Sequence, residues 1–245
     1  MITANQIKYV KSLQQTKFRQ KYNKFIAEGA KITKEILENS TYEIDHLFAT
    51  ANWIEEHNEK LVNKSVNFTE VNKREMGKIS ALKTASEVFV VMNTPEPREF
   101  NIQNKSIYLD DVQDPGNVGT IIRIADWFGI QQIIRSSGSA DFYNPKVIQA
   151  SMGSFLNVDL QNSNLTDLDV SNHKIIGTEM NGSSLKNFAW PENAVLVMGN
   201  EGRGMSPEIA KVVDLSISIP GSSAKIAESL NVGIATGIIC HSWFL

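Results

Sequence analysis

A single cysteine, Cys240, is all the thiol chemistry available to this chain of 245 residues. One cysteine excludes an internal disulfide, and its place in an apolar helical stretch fits a reducing compartment. Histidine is scarce as well. His46, His57, His173 and His241 are scattered without ligand spacing, so no zinc site is expected. There is no run of eighteen apolar residues and no N-terminal succession of charged, apolar and small residues, which leads to the expectation of a soluble, cytoplasmic protein. Acidic residues are nearly missing from one region. Between positions 1 and 34, Lys8, Lys11, Lys17, Arg19, Lys21, Lys24, Lys31 and Lys34 face only Glu28, in a protein whose formal net charge is -3. Such a segment is either a phosphate-contacting patch or a solvated helix surface, and charge alone does not choose between them.

What is present divides the chain in two. Residues 1–98 hold 15 Lys and Arg against 12 Asp and Glu, so the excess of acid belongs to the remainder. Helical patterns at 5–15 and 30–38, with strand patterns at 25–27, 44–48, 65–69 and 87–92, predict a small α/β domain over residues 1–93. Residues 94–105 include two prolines and few apolar side chains and read as a linker. Over 106–245 the strands become short continuous apolar runs at 107–109, 132–134, 174–177, 194–198 and 215–219, separated by helical stretches. That pattern predicts a mainly parallel sheet covered on both faces, with ligands bound beyond the carboxyl ends of its strands. The final helix, expected over 227–244, carries Leu230, Val232, Ile234, Ala235, Ile238, Ile239, Cys240 and Trp243 around its whole circumference. A terminal helix apolar on every side must be covered either deep within its own chain or by a second copy, and of the two a homodimer is expected.

Three glycine-bearing turns hold the polar residues of interest. In the first, a strand at 106–112 runs into a helix where Val118, Ile121, Ile122 and Ala125 form the core stripe while Gly119, Arg123 and Asp126 take the other side. Arg123 therefore points away from the core, and Gly119 places no side chain in front of it, so an electron-rich group has room to dock. The second turn, Gly199-Asn-Glu-Gly-Arg-Gly204, lies too late in its domain to be a dinucleotide fingerprint. It reads as a turn bringing main-chain groups close to a ligand, with Glu201 fixing neighbouring loops or binding a cation, or as a structural cap on a helix beginning near Ser206-Pro207. In the third, after Ile219-Pro220, Ser229 reads as the N-cap of the last helix. That leaves Asn231 inside the first turn, where an amide without partners costs roughly 1–3 kcal/mol.

Taken together, Asn117-Val-Gly119-x3-Arg123-x-Ala125, Gly199-Asn-Glu201-Gly-x-Gly204, and Ile219-Pro220 followed by Glu228-Ser-Leu-Asn-Val232 resemble the SpoU (TrmH-like) family of RNA ribose 2′-O-methyltransferases. Order and spacing agree, and 144–153, ending in Ser151-Met-Gly153, resembles the family's helix leading to a Ser-x-Gly turn. Residues 1–98 resemble more loosely the family's ribosomal-protein-like RNA-binding domain. The resemblance implies a SPOUT fold with a trefoil knot, S-adenosylmethionine as cofactor, and RNA as substrate, ribosomal RNA before transfer RNA. A catalytically silent RNA-binding or ribosome-assembly factor of the same fold is the reading from a different class. Carried over by position, Gly199, Ile219 and Leu230, with Thr178 and Glu179 nearby, would hold the cofactor. Asn117, Arg123, Glu201, Ser229 and Asn231 would form the catalytic polar set, and Lys8, Lys11, Lys17, Arg19, Lys21 and Lys24 the RNA contact. Family members commonly have a methionine soon after Ile-Pro and a shorter connection to Ser-Leu-Asn; here Gly221-Ser-Ser-Ala-Lys-Ile226 intervenes, a departure that bears on the detailed cofactor-loop contacts and not on the reaction class.

Overall fold

The computed structural model describes residues 1–39, 42–224 and 226–245. Lys225, in the segment where the chain departs from the family pattern, lies outside the described residues. Two compact units result: Met1–Arg98 with Tyr143–Leu156, and Glu99–Phe142 with Asn157–Leu245.

The first unit opens with α1 (Ala4–Ser12) and α2 (Thr16–Tyr22), followed by β1 (Lys24–Glu28), α3 (Ala30–Asn39), β2 (Ile44–Ala49), α4 (Ala51–Asn63), β3 (Phe68–Glu70), α5 (Lys73–Ile79) and β4 (Val88–Asn93). The four strands form one sheet in the order β1-β4-β2-β3, antiparallel except between β2 and β3. β4 is flanked on both edges, and Val88 to Met92 are wholly buried, which explains its unbroken apolar sequence. Capping boxes start two helices: Thr3 with Gln6 at α1 and Asn72 with Glu75 at α5. The buried carboxylate of Glu28 accepts hydrogen bonds from Ser80 Oγ, Ala81 N (3.0 Å) and Ser86 N (3.3 Å), so it holds the loop leading into β4. The sequence pattern does not reveal α2, α4 or α5. In α4 only Trp53 and Leu61 are buried, too thin a stripe for periodicity to register.

The second unit contains β5 (Lys105–Leu109), α6 (Pro115–Phe128) and β6 (Gln132–Arg135). After β6 the chain leaves for α7 (Pro145–Ser151), which sits in the first unit, and then returns. β7 (Asp159–Asn162), β8 (Lys174–Ser184), β9 (Ala194–Met198), α8 (Pro207–Ala210), β10 (Leu215–Ser218) and α9 (Val232–Trp243) complete it. Every pairing is parallel, in the order β10-β8-β9-β5-β6-β7. Tyr108, Ile134, Ile175, Val195 and Val197 form one core of this sheet with Leu165 and Ile209. β7 escapes the sequence pattern because Asp159-Leu-Gln-Asn is an edge strand with only one apolar residue. β8 runs past its expected end at Gly177. Its pairing with β10 jumps from Gly177 opposite Ser216 to Ser183 opposite Ile217, which frees Thr178 to Gly182 from the ladder at the carboxyl end of the sheet.

Helix α9 departs from expectation twice. It begins at Val232, five residues later than the apolar pattern suggests, because the segment before it forms no helical turn. Within the single chain it is also not covered all round. Gly233, Thr236, Ile239, Cys240 and Trp243 are buried, whereas Ile234 is 58% and Ile238 40% exposed. The buried side lies partly against α6, where Gly233 comes close to Thr120 and Gly237 to Ile124. Burial pushes the Cys240 thiol up to about 12, so it is a packing group and not a nucleophile.

Candidate active site

Asp114 caps α6 by accepting a hydrogen bond from Asn117 N (2.9 Å), with Pro115 as the first helical residue. This fixes Asn117 in the first turn, directly beyond the carboxyl end of β5. Asn117 Nδ2 donates to Glu201 Oε1 (2.9 Å), and Asn231 Nδ2 donates to Asn117 Oδ1 (2.9 Å). Three residues separated by 84 and 114 positions in sequence are thereby joined into one hydrogen-bonded row. Asn117 uses both ends of its amide, so neither neighbour can shift without losing a partner. Of the two roles open to Glu201, the geometry displays the fixing of neighbouring loops.

The turn carrying Glu201 is held by residues that sequence reasoning passed over. Asn200 and Gly204 exchange backbone hydrogen bonds at 2.9 Å, and Asn200 Oδ1 accepts from Gly202 N and Arg203 N. Asn200 Nδ2 donates to the Asp111 carbonyl (2.8 Å), while the buried Asp110 accepts from Ser206 N (2.6 Å). The available signal was an asparagine within a glycine turn, where its side chain commonly bonds nearby backbone. Gly199 is required by the crossing of the chain: a Cβ there would lie 2.6 Å from the Gly204 and Met205 backbone.

Asn231, not Ser229, is the N-cap of α9, and its Oδ1 accepts from Gly233 N (3.0 Å) and Ile234 N (3.2 Å). The late start of the helix moves the cap two residues along and gives the amide the partners its position demanded. Ser229 is exposed and without a hydrogen-bond partner among the described residues. Replacing Asn231 with Ala is expected to cost about 1 kcal/mol and lower the thermal midpoint by about 2–4 °C, whereas Ser229→Ala leaves it unchanged. Thermal unfolding followed by circular dichroism checks both variants.

Arg123 is exposed and makes no hydrogen bond or ion pair among the described residues. It shares an exposed stripe of α6 with Thr120 and Trp127. Gly119 is buried, contrary to the expected open space one turn ahead of the guanidinium. The cofactor candidates lie after the carboxyl ends of three neighbouring strands. Thr178 follows the part of β8 paired with β9 and donates from Oγ1 to the Val197 carbonyl (3.1 Å); Gly199 follows β9, and Ile219 follows β10. Glu179 is exposed, Ile219 half-buried and Leu230 49% exposed. Among the described residues, those of 221–230 make no backbone-to-backbone hydrogen bond, and apart from Ala224 N, which donates to Ser222 Oγ (3.2 Å), their main-chain groups are left for a ligand. Main-chain groups, an apolar side chain and a carboxylate unpaired among the described residues suit a cofactor with adenine, ribose and an aminoacyl tail.

The cationic candidates of the first unit separate into two kinds. Lys8, Lys11, Lys17 and Lys21 are exposed. Arg19 is buried and donates to the Leu13 and Gln14 carbonyls and to Thr16 Oγ1, all at 3.0 Å, so it clamps the turn between α1 and α2. Lys24 is committed to Asp45 Oδ1 (2.5 Å) and Asn93 Oδ1 (2.7 Å). The sequence showed the charges and not these internal acceptors.

A parallel sheet with polar motif turns at its carboxyl end is shared with known proteins. The SpoU rRNA Methylase family matches residues 104–241, and the MRM3-like substrate binding domain matches residues 4–90. The chain belongs to the SpoU rRNA methylase family. The 23S rRNA (guanosine(2553)-2′-O)-methyltransferase RlmP of Bacillus subtilis (strain 168) is 28% identical over 240 residues, covering 96% of this chain and 94% of its own. An rRNA methyltransferase from Sinorhizobium meliloti, solved with AdoMet bound, superposes with a TM-score of 0.87 at 28% identity, over 99% of this chain and 95% of that one. A TrmH-family protein from Porphyromonas gingivalis is 36% identical with a TM-score of 0.87, over 99% and 98% of the two chains.

Proposed function

We propose that this chain methylates a ribose 2′-hydroxyl of RNA, with ribosomal RNA as substrate and S-adenosylmethionine as methyl donor. The observation that carries the reading is the Glu201, Asn117, Asn231 row, which ties the three motif turns together on the helix that presents Arg123, unpaired among the described residues. The sulfonium of the bound cofactor supplies an activated methyl group. Main-chain groups at Gly199, Ile219 and Leu230 would hold the donor, with Thr178 and Glu179 at the adjoining strand end. The donor would give its methyl group to the 2′-oxygen and leave as the neutral thioether S-adenosylhomocysteine, with the hydroxyl proton passing to water. Such a displacement depends chiefly on alignment of oxygen, carbon and sulfur. A guanidinium is a poor base, so Arg123 acts by clamping a phosphate and stabilising the developing alkoxide. Ser229, on the free loop before α9, adds a hydroxyl for orienting the ribose.

Ribosomal RNA is favoured because the Bacillus relative matches nearly the full chain, N-terminal region included, and is named for a 23S rRNA ribose methylation. Incubating total RNA with labelled cofactor and mapping the product tests the reading. Label in a ribosomal ribose is expected. No transfer to any RNA overturns the enzymatic reading, a methylated base overturns the ribose assignment, and label confined to transfer RNA overturns the substrate.

The reading includes a trefoil passage of the C-terminal segment, consistent with α9 leaving the edge strand β10 yet packing on α6. It also includes a cytoplasmic site of action; among the described residues no helix is long and apolar enough to cross a membrane. A homodimer completes it, formed through the face of α9 where Ile234 and Ile238 stand exposed. Sedimentation at micromolar concentration is expected to show a dimer, and Ile238→Asp a monomer; a wild-type monomer overturns the dimer.

A further inference from the structure

The face formed by α1 and α2 carries more than charge. Residues 1–27 contain six cationic side chains and no acidic one. With Arg19 and Lys24 engaged internally, Lys8, Lys11, Lys17 and Lys21 remain at the surface. Three rings are set among them. Tyr9 and Tyr22 meet edge to face with centroids 5.2 Å apart, and Phe18 lies within 12° of parallel to Tyr22 at 6.2 Å. Lys17 Nζ stands 4.8 Å from the centre of the Phe18 ring and Lys21 Nζ 5.4 Å from that of Tyr22. The core beneath is closed by Val10, Leu13, Ile26, Phe48 and Phe89, and of the three rings only Tyr9 packs against it. Phe18 is half-buried and Tyr22 is 38% exposed, on a stretch where solvation would be served by polar residues.

We propose that the α1–α2 face binds unpaired nucleotides of RNA, with bases stacking on Tyr22 and Phe18 and phosphates meeting Lys8, Lys11, Lys17 and Lys21. A charged face alone would take single and double strands alike. Rings interleaved with the charges select the single strand, because only there is a base face free to stack. The flexible lysines can swing from ring to phosphate without disturbing the helices, since none has an internal acceptor among the described residues. This inference rests on the reading of the chain as an RNA-modifying enzyme and adds the conformation of the substrate where the first unit grips it.

Binding of the full chain to a fluorescein-labelled single-stranded oligoadenylate, and to an RNA duplex of equal length, provides the test. Tyr22→Leu is expected to weaken the single-strand complex about tenfold and to leave the duplex complex unchanged, with Tyr22→Phe restoring wild-type affinity. Lys17→Gln combined with Lys21→Gln should weaken both complexes and lower the single-strand salt slope by roughly 1.4. Wild-type affinity in Tyr22→Leu overturns the inference, as does an equal loss on both RNAs. Methyl transfer measured on the same preparations separates the two claims. Transfer with ring-independent binding defeats only this inference, whereas ring-dependent binding without transfer to any RNA defeats only the catalytic reading.

Discussion

Arg123→Ala is expected to lower methyl transfer at least a hundredfold while changing S-adenosylmethionine affinity by no more than about twofold. The guanidinium is exposed and bonded to nothing among the described residues, so its removal breaks no internal contact and leaves α6 in place. The cofactor candidates lie on other elements, after β8, β9 and β10, so donor binding has no direct need of this side chain. Loss of an electrostatic donor aimed at a developing alkoxide typically costs about 3–4 kcal/mol of barrier. Arg123→Lys separates the two parts of the role. A lysine keeps the charge but not the planar fork, so partial activity is expected if charge dominates and little recovery if bidentate phosphate clamping does. Single-turnover transfer of labelled methyl, with calorimetric titration of the cofactor, gives both readouts. A variant that transfers normally, or one that loses cofactor binding in step with activity, overturns the assigned role.

Phe25→Ala is expected to destabilise the first unit by about 3–5 kcal/mol. Phe25 is completely buried on β1, and its ring centroid lies 4.7 Å from that of Tyr143 and 6.0 Å from that of Phe155. Tyr143 and Phe155 flank α7, the segment that interrupts the second unit to join the first. Truncating Phe25 removes a large apolar surface and also the aromatic pairing that anchors this segment. Hydrogen exchange should therefore quicken in 143–156 together with β1, and denaturant unfolding should show the loss of stability. If 143–156 keeps wild-type protection while β1 loses it, the segment is anchored by something other than this cluster.

The clarity with which each feature shows in the sequence follows from how local its cause is. The run 107–109 in β5 and the whole of β9 are plain because strand residues buried on both faces are apolar, and the carboxyl-end turns are plain because glycines mark them. The edge strand β7 is hidden because an edge needs almost no apolar residues. The apolar pattern carries α9 too far because Ala227 and Leu230 continue its composition, although Leu230 is exposed and the helix starts only at its Asn231 cap. In the N-terminal basic run six cations look equivalent. Their division into exposed lysines, a buried turn clamp at Arg19 and an ion pair at Lys24 depends on acceptors such as the Leu13 carbonyl and Asp45, which folding alone brings within reach.

The motifs alone nominate a polar set: Asn117, Arg123, Glu201, Ser229 and Asn231 stand in the order and spacing of a known family. Their relation is not. A linear pattern can state that an asparagine follows a strand and a glutamate follows a glycine, because both are local consequences of turn chemistry. That one carboxylate and two amides share hydrogen bonds across 84 and 114 residues is decided only when parallel strands bring their carboxyl ends to one edge of the sheet. The same distinction separates Gly199, whose place in a turn is readable, from the reason it must be glycine, which is the passage of the Gly204 and Met205 backbone at a distance no side chain can occupy.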